Sequence, residues 1–252
     1  MRIISVVTQK GGCAKTTTAW AMGTGLHARG YNVLLVDADP QSSLAFTAGV
    51  NLLELPASLY DVFKGRADVN DALLEIEPGL DIVVGSMDLT GADREFTGRK
   101  AFYLIGNAIH GLRREYDFVI IDTPSYLGCM TENALAVSDD VIVPAIPDVY
   151  ALQGAGQLAG FIDRQRAFTN SGLKVAGVLM VLVENRTSMA KLGLSQVDNI
   201  AQLLNTKVFQ TRIRQGVKVK EAAANQTSLI KSYKSENVTK DYEAFIDEYL
   251  RG

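Results

Sequence analysis

Apolar residues fall in consecutive runs along this chain, not on every second position. The runs are IISVV (3–7), VLLVD (33–37), LDIVV (80–84), FVIID (118–122), VIVPAI (141–146) and VAGVLMVLV (175–183). Runs this short and this rich in β-branched residues predict strands buried on both faces, hence a parallel sheet. Between them, 16–28, 99–115, 131–138, 151–168 and 190–204 look helical. Strand–helix alternation predicts an α/β fold: a doubly wound, mostly parallel sheet flanked by helices. We expect one domain over 1–252, with 50–79 (short LYDVF and DALLEI pieces) as a helical excursion beside the sheet. In 236–252, Val238, Tyr242, Phe245, Ile246 and Tyr249 recur at helical spacing and predict a packed C-terminal helix.

The first strand runs into TQKGGCAKTTTA (8–19). A strand, a glycine-rich turn and a helix beginning at Lys15-Thr16-Thr17 form the grammar of a phosphate site, because backbone N–H groups there point at anionic oxygens. Gly11, Gly12, Cys13, Ala14 and Thr17 would line the loop. Lys15 would reach the β- and γ-phosphates, and the Thr16 hydroxyl would hold Mg²⁺. The ordinary pattern is G-x-x-x-x-G-K-[ST], and here Ala14 replaces its last glycine. Alanine resists backbone angles that glycine tolerates. Ala14 must therefore keep an ordinary φ, or the loop is strained and nucleotide affinity falls. A glycine turn without a ligand is the competing reading, and it leaves Lys10 unexplained.

Further motifs follow in order. LLVDADPQSS (34–43) puts Asp37 and Asp39 at the C-terminal end of a strand, beside the expected ligand crevice. Asp and Pro also favour plain turns. FVIIDTPSYLG (118–128) has the form of a Walker B strand, with Asp122 placed to hold the Mg²⁺ shell through water. TENALAVSDDVIVPAI (131–146), PDVYALQG (147–154) and VLVENRTS (181–188) complete the series.

Together with K-G-G-x-x-K-T-T, these stretches resemble the ParA/MinD family of deviant Walker A ATPases over essentially 1–235. The resemblance implies ATP and Mg²⁺ as ligands and a slow ATPase that forms a nucleotide-sandwich homodimer. In that family the extra lysine, here Lys10, contacts the phosphates held by the other subunit. Asp39 would position the attacking water and Asp37 would lie near the metal. Pro147 and Asn185 would lie near the base. The chain departs at Ser125-Tyr126, where the family usually has Pro-Ser, and at Asp148, where Glu is common.

Charge sharpens the choice of branch. The chain totals −3, yet Lys207 to Lys234 carries seven basic residues and one acid, Glu221. Charge so segregated suggests a local anionic partner, although a solvated surface has the same composition. ParA-type partition ATPases hold non-specific DNA in the ATP-bound state and release it when a centromere-binding, ParB-type adaptor stimulates hydrolysis, moving plasmid or chromosome cargo. By that resemblance Arg186, Arg214, Lys218 and Lys220 would meet DNA phosphates. The I-P-R-N stretch of that branch is absent here. So is an N-terminal helix-turn-helix extension, which makes self-made operator binding unexpected.

The alternative is a MinD-like positioning ATPase cycling on a membrane or another scaffold. Its basic amphipathic tail has no counterpart in DYEAFIDEYLRG, which is acidic. A nucleotide-gated scaffold that hydrolyses poorly because of Ala14 also stays open. An iron–sulfur role needs two thiolates per subunit near the second motif. Only Cys13 and Cys129 exist, so Cys129 is expected to be a packing residue. Two separated thiols, no run near the ~18 residues of a membrane span and no signal peptide point to a cytoplasmic protein, and the ParA-type resemblance implies that it associates with the nucleoid.

Overall fold

The computed structural model describes residues 1–146, 151–183 and 189–252. Its strands are β1 (Arg2–Val6), β2 (Val33–Asp37), β3 (Leu73–Glu77), β4 (Leu80–Val84), β5 (Phe118–Asp122), β6 (Asp140–Ala145), β7 (Lys174–Val183) and β8 (Val208–Arg214). They form one sheet in the order β3-β4-β2-β5-β1-β6-β7-β8. Every pairing is parallel except β3 with β4. The helices are α1 (Lys15–His27), α2 (Ser43–Thr47), α3 (Leu59–Phe63), α4 (Ala92–Glu95), α5 (Leu104–His110), α6 (Cys129–Val137), α7 (Ala151–Phe168), α8 (Met189–Leu203), α9 (Val217–Ala224), α10 (Leu229–Ser232) and α11 (Asn237–Arg251).

The consecutive apolar runs are buried along their whole length in β2, β4, β5 and β6, as strands covered on both faces require. Alternate strand residues feed opposite cores. Ile4, Val6, Leu35 and Ile120 pack with Trp20, Met22 and Leu26 of α1 and with Phe245 and Ile246 of α11. Ile3, Leu34, Val36, Val119 and Ile121 pack with Leu59, Ile105 and Met130 on the other side. A third cluster joins β6 and β7 to α7 and α8 through Val143, Val178, Phe161 and Ile200. The five apolar positions expected on the C-terminal helix are all buried. At about 1.5–3 kcal/mol for each fully buried large side chain, they hold α11 against α1.

Three elements differ from expectation. DALLEI is not helical: Leu73–Glu77 is an edge strand, turned back onto β4 through Pro78-Gly79, with Gly79 at φ +89°. Pairing with the already buried β4 outweighs the local helical spacing, so the 50–79 excursion is helical only at Leu52–Glu54 and α3. The expected helix at 99–115 is a 3₁₀ turn, Arg99–Tyr103, followed by α5, which ends at Gly111. Finally, part of the basic segment is β8. This edge strand is capped by carboxylates of α11: Gln210 N–H and Thr211 N–H donate to Glu248 (2.7 and 2.8 Å), and Arg214 N–H donates to Asp241 (3.1 Å). An otherwise open edge is thereby closed, and α11's acids have a structural duty.

Candidate nucleotide site

In the register of the sheet, Val6 is level with Asp122, and Asp122 with Asp37. The C-terminal ends of β1, β2 and β5 thus open together. That is where ligands bind in open α/β sheets. The loop from β1 to α1 crosses this rim. Gly12 takes φ +75°, and Ala14, the residue before α1, takes φ 53° and ψ 29°. Of the two expected alternatives, an ordinary φ at Ala14 or a strained loop, the structure has the strained loop. The Ala14 carbonyl accepts the first helical bond, from Thr18 N–H (2.8 Å), so α1 itself fixes this left-handed turn. Ala14 has no side chain that could cap α1, and the first turn of α1 holds no acid. Its leading N–H groups face the rim as a ready anion site.

Lys15 is buried, and its Nζ donates to Ser125 Oγ at 2.8 Å. Burial lowers its pKa, while the Asp122 and Asp39 carboxylates pull the other way. Asp37 and Asp122 are both fully buried side by side on adjacent strands. Asp37 accepts from the backbone N–H of Ala45 (2.9 Å) and Asp39 (3.3 Å). Burial, then the Asp122 charge, raises its pKa well above the carboxylate range. Burial pushes Asp122 up to about 7, although the Thr16 hydroxyl and the Lys15 ammonium draw it back down. Neither Asp122 oxygen completes a hydrogen bond of ordinary geometry. Two adjacent buried carboxylates, one with orphaned oxygens, beside a helix-start hydroxyl fit a divalent cation. Among the described residues no group of three His, Cys, Asp or Glu could hold a metal alone. A cation here would draw further ligands from phosphate and water.

Asp39 is half-buried just past β2, its Oδ1 accepting from Gln41 N–H at 2.9 Å. Gly11 and Gly12 are exposed, Thr16 and Thr17 half-buried and Cys13 buried. Lys10 is half-buried and, with Thr8, Gln9, Cys13, Tyr126 and Leu158, lines a cavity of about 440 Å³. Pro147, Asn185 and Arg186 lie outside the described residues. The remaining basic candidates lie elsewhere on the chain. Arg214 pairs with Asp241 through Nε (2.6 Å) and Nη2 (2.9 Å). Lys218 pairs with Glu221 (2.6 Å) and lies over the Tyr233 ring, whereas Lys220 is exposed on α9. Cys129 is buried, as expected of a packing residue, and burial pushes its thiol up to about 11. Sequence reasoning missed Ser125 as the partner of Lys15, since a serine after Thr-Pro carries no distinctive pattern.

A glycine turn ending in an uncapped helix, a buried lysine at its start and paired strand-end carboxylates define a P-loop nucleotide hydrolase. Comparisons with known proteins narrow the class. An AAA domain family model matches residues 1–175. The chromosome partitioning protein ParA of Caulobacter vibrioides is 36% identical over 227 residues, 88% of this chain and 84% of the relative. The sporulation initiation inhibitor Soj of Bacillus subtilis is 32% identical over 231 residues, 91% and 90% of the two chains. The solved structure of a Mycobacterium smegmatis cobyrinic acid a,c-diamide synthase with bound ADP and magnesium superposes with TM-score 0.85. It is 31% identical and covers 100% of this chain and 94% of its own. The Cyanothece McdA fold superposes at 0.86 with 19% identity, a likeness of fold alone. The chain belongs to the ParA/Soj family of partition ATPases, and it is an ATPase.

Proposed function

We propose that this ATPase is a DNA-partition switch. ATP with Mg²⁺ binds along 10–17, and two chains close face to face around two nucleotides. The paired form holds DNA without regard to sequence, and a centromere-binding, ParB-type adaptor triggers hydrolysis, which releases it. The observation that carries the reading is the half-buried Lys15–Ser125 contact. It ties the phosphate loop directly to the segment after Asp122, so an arriving γ-phosphate competes for a cation that already holds a switch. When bound, Mg²⁺ supplies charge neutralisation at the β- and γ-phosphate oxygens, held by Thr16 with Asp122 behind it and Asp37 alongside.

The chain's own residues do the rest. The α1 N-terminus and Lys15 hold the phosphates. Lys10 extends to the nucleotide of the other subunit, so pairing depends on the terminal phosphate. Asp39, on a turn fixed by Gln41 N–H, orients the water that attacks phosphorus as the bond to the bridging oxygen breaks. Lys220, Lys218 and Arg186 supply phosphate contacts to DNA. Arg214 is spent largely on Asp241 and contributes less. The membrane alternative loses support because Asp241, Asp247 and Glu248 of α11 bind Arg214, Arg29 and the β8 edge. The reading places the protein in the cytoplasm, on the nucleoid. Titration of a random-sequence duplex with ATP, ADP or no nucleotide tests it. Salt-sensitive binding with ATP alone is expected, and equal binding in all three conditions would refute it.

A further inference from the structure

The segment Thr123–Gly128, between Asp122 and α6, is pinned at both ends. At its start Thr123 Oγ1 donates to the Val6 carbonyl at 2.8 Å, and Ser125 accepts from Lys15. Its far end is less ordinary. Gly128, the residue before α6, has no side chain with which to cap the helix. The acceptor comes instead from another element: Asp93 Oδ1, on α4, receives the backbone N–H of Cys129 at 2.5 Å. A carboxylate at that position satisfies an orphan donor and matches the positive end of the helix dipole.

Two details suggest that this contact is built in. A Cβ on Gly128 would fall 2.7 and 2.8 Å from the two Asp93 oxygens and 2.4 Å from Tyr126 Cε2, so a side chain here would push both away from the helix start. Asp93 itself is exposed, but the chain on either side of it is anchored. Leu89 and Ala92 just before it are completely buried. Glu95 just after it accepts from the Tyr60 hydroxyl (2.8 Å) and pairs with Lys64, just past α3. The segment that carries Ser125 is thus stretched between the phosphate loop and an acid on α4.

We propose that Asp93 is a positioning residue for ATP hydrolysis. It does not touch the nucleotide. It anchors the N-terminus of α6 and so sets where Ser125 and its neighbours stand when the γ-phosphate arrives. Without the anchor, nucleotide still binds through α1 and Lys15, but the segment after Asp122 no longer holds the geometry that hydrolysis needs. The inference rests on the ATPase assignment.

Its test compares the parent with Asp93→Ala, Asp93→Asn, Gly128→Ala and the Asp93→Ala/Gly128→Ala pair. Turnover and ATP affinity are measured separately, with melting temperature as a check on folding. Asp93→Ala should lower kcat about tenfold, the factor that ~1.4 kcal/mol represents, with ATP Kd within about twofold. Asparagine keeps an oxygen acceptor and should restore most of the rate. Gly128→Ala should behave like Asp93→Ala, and the pair should be no worse than either alone, as for two changes to one contact. Equal kcat in parent and Asp93→Ala would overturn the proposal. So would a loss of ATP affinity in step with kcat, or an asparagine variant no better than alanine. A parent that binds ATP without hydrolysing it would instead overturn the ATPase assignment beneath it.

Discussion

Ala14→Gly should stabilise the ligand-free protein. Ala14 sits at φ 53°, ψ 29°, a left-handed conformation that costs an L-residue about 1–2 kcal/mol. Glycine removes that cost. Two terms oppose it. Glycine has more backbone freedom to lose on folding, a difference of roughly 0.5–1 kcal/mol where both residues fit equally well. The Ala14 methyl, half-buried against the α1 core, contributes at most a fraction of the ~0.8 kcal/mol of a fully buried carbon. The net is a gain of about 0.5 kcal/mol, or roughly 1–2 °C in melting temperature for a domain of this size. Because the Thr18 N–H bond to the Ala14 carbonyl makes the left-handed turn part of α1 itself, the relief belongs to folding, and ATP affinity should stay within about twofold. Thermal melts of parent and variant without ligand, with an ATP titration of each, make the test. A lower melting temperature for the glycine variant would refute the strain argument. An unchanged melt with ATP binding about fivefold tighter would show that the strain develops only on binding.

Three further outcomes follow from the site. Lys15→Ala should abolish ATP binding in a nucleotide titration, since the ammonium buried at the α1 N-terminus is lost; retained tight binding would remove that role. The Asp122 pKa is raised to about 7, so the folded state holds this proton more tightly than the unfolded chain does. Its contribution to stability without ligand is therefore full below about pH 4 and is lost as pH rises through 7, at up to ~1.4 kcal/mol per pH unit. Asp37 adds in the same direction. Urea unfolding at pH 5 and 7 should show the fall in the parent and a smaller one in Asp122→Asn, and equal slopes in both would contradict it. Lys218→Ala with Lys220→Ala should weaken duplex binding and reduce its salt slope while leaving ATP-driven pairing intact; unchanged DNA affinity would remove α9 from the DNA surface.

The central strands and the phosphate loop were legible because their signals are local. Consecutive β-branched residues mark buried parallel strands, and Gly11-Gly12 before Lys15-Thr16 marks an anion-binding turn. The edges were less legible. β3 lay hidden in a stretch with helical spacing, although Pro78-Gly79 between two apolar runs was a hairpin signal. β8 was masked by its own arginines. Phe209 and Ile213 are buried, while Arg212 and Arg214 on the same strand suggested a basic surface. Ion pairing is also invisible in one dimension: Arg214 meets Asp241 and Arg29 meets Asp247 across long stretches of chain. The Asp37–Asp122 pair was legible as two strand-end acids, but their adjacency required the sheet order β2-β5. The Asp93 contact with Cys129 N–H depends on the packing of α4 against α6, which nothing in 86–100 announces.

Whether the terminal phosphate governs pairing is tested most directly by sedimentation of the Asp39→Ala protein, which should bind ATP without consuming it. Saturated with ATP and Mg²⁺ it should run as a dimer, with ADP as a single chain, and Lys10→Ala in the same background should stay single with either nucleotide. Single chains in saturating ATP, or dimers that form equally well with ADP, would contradict the account.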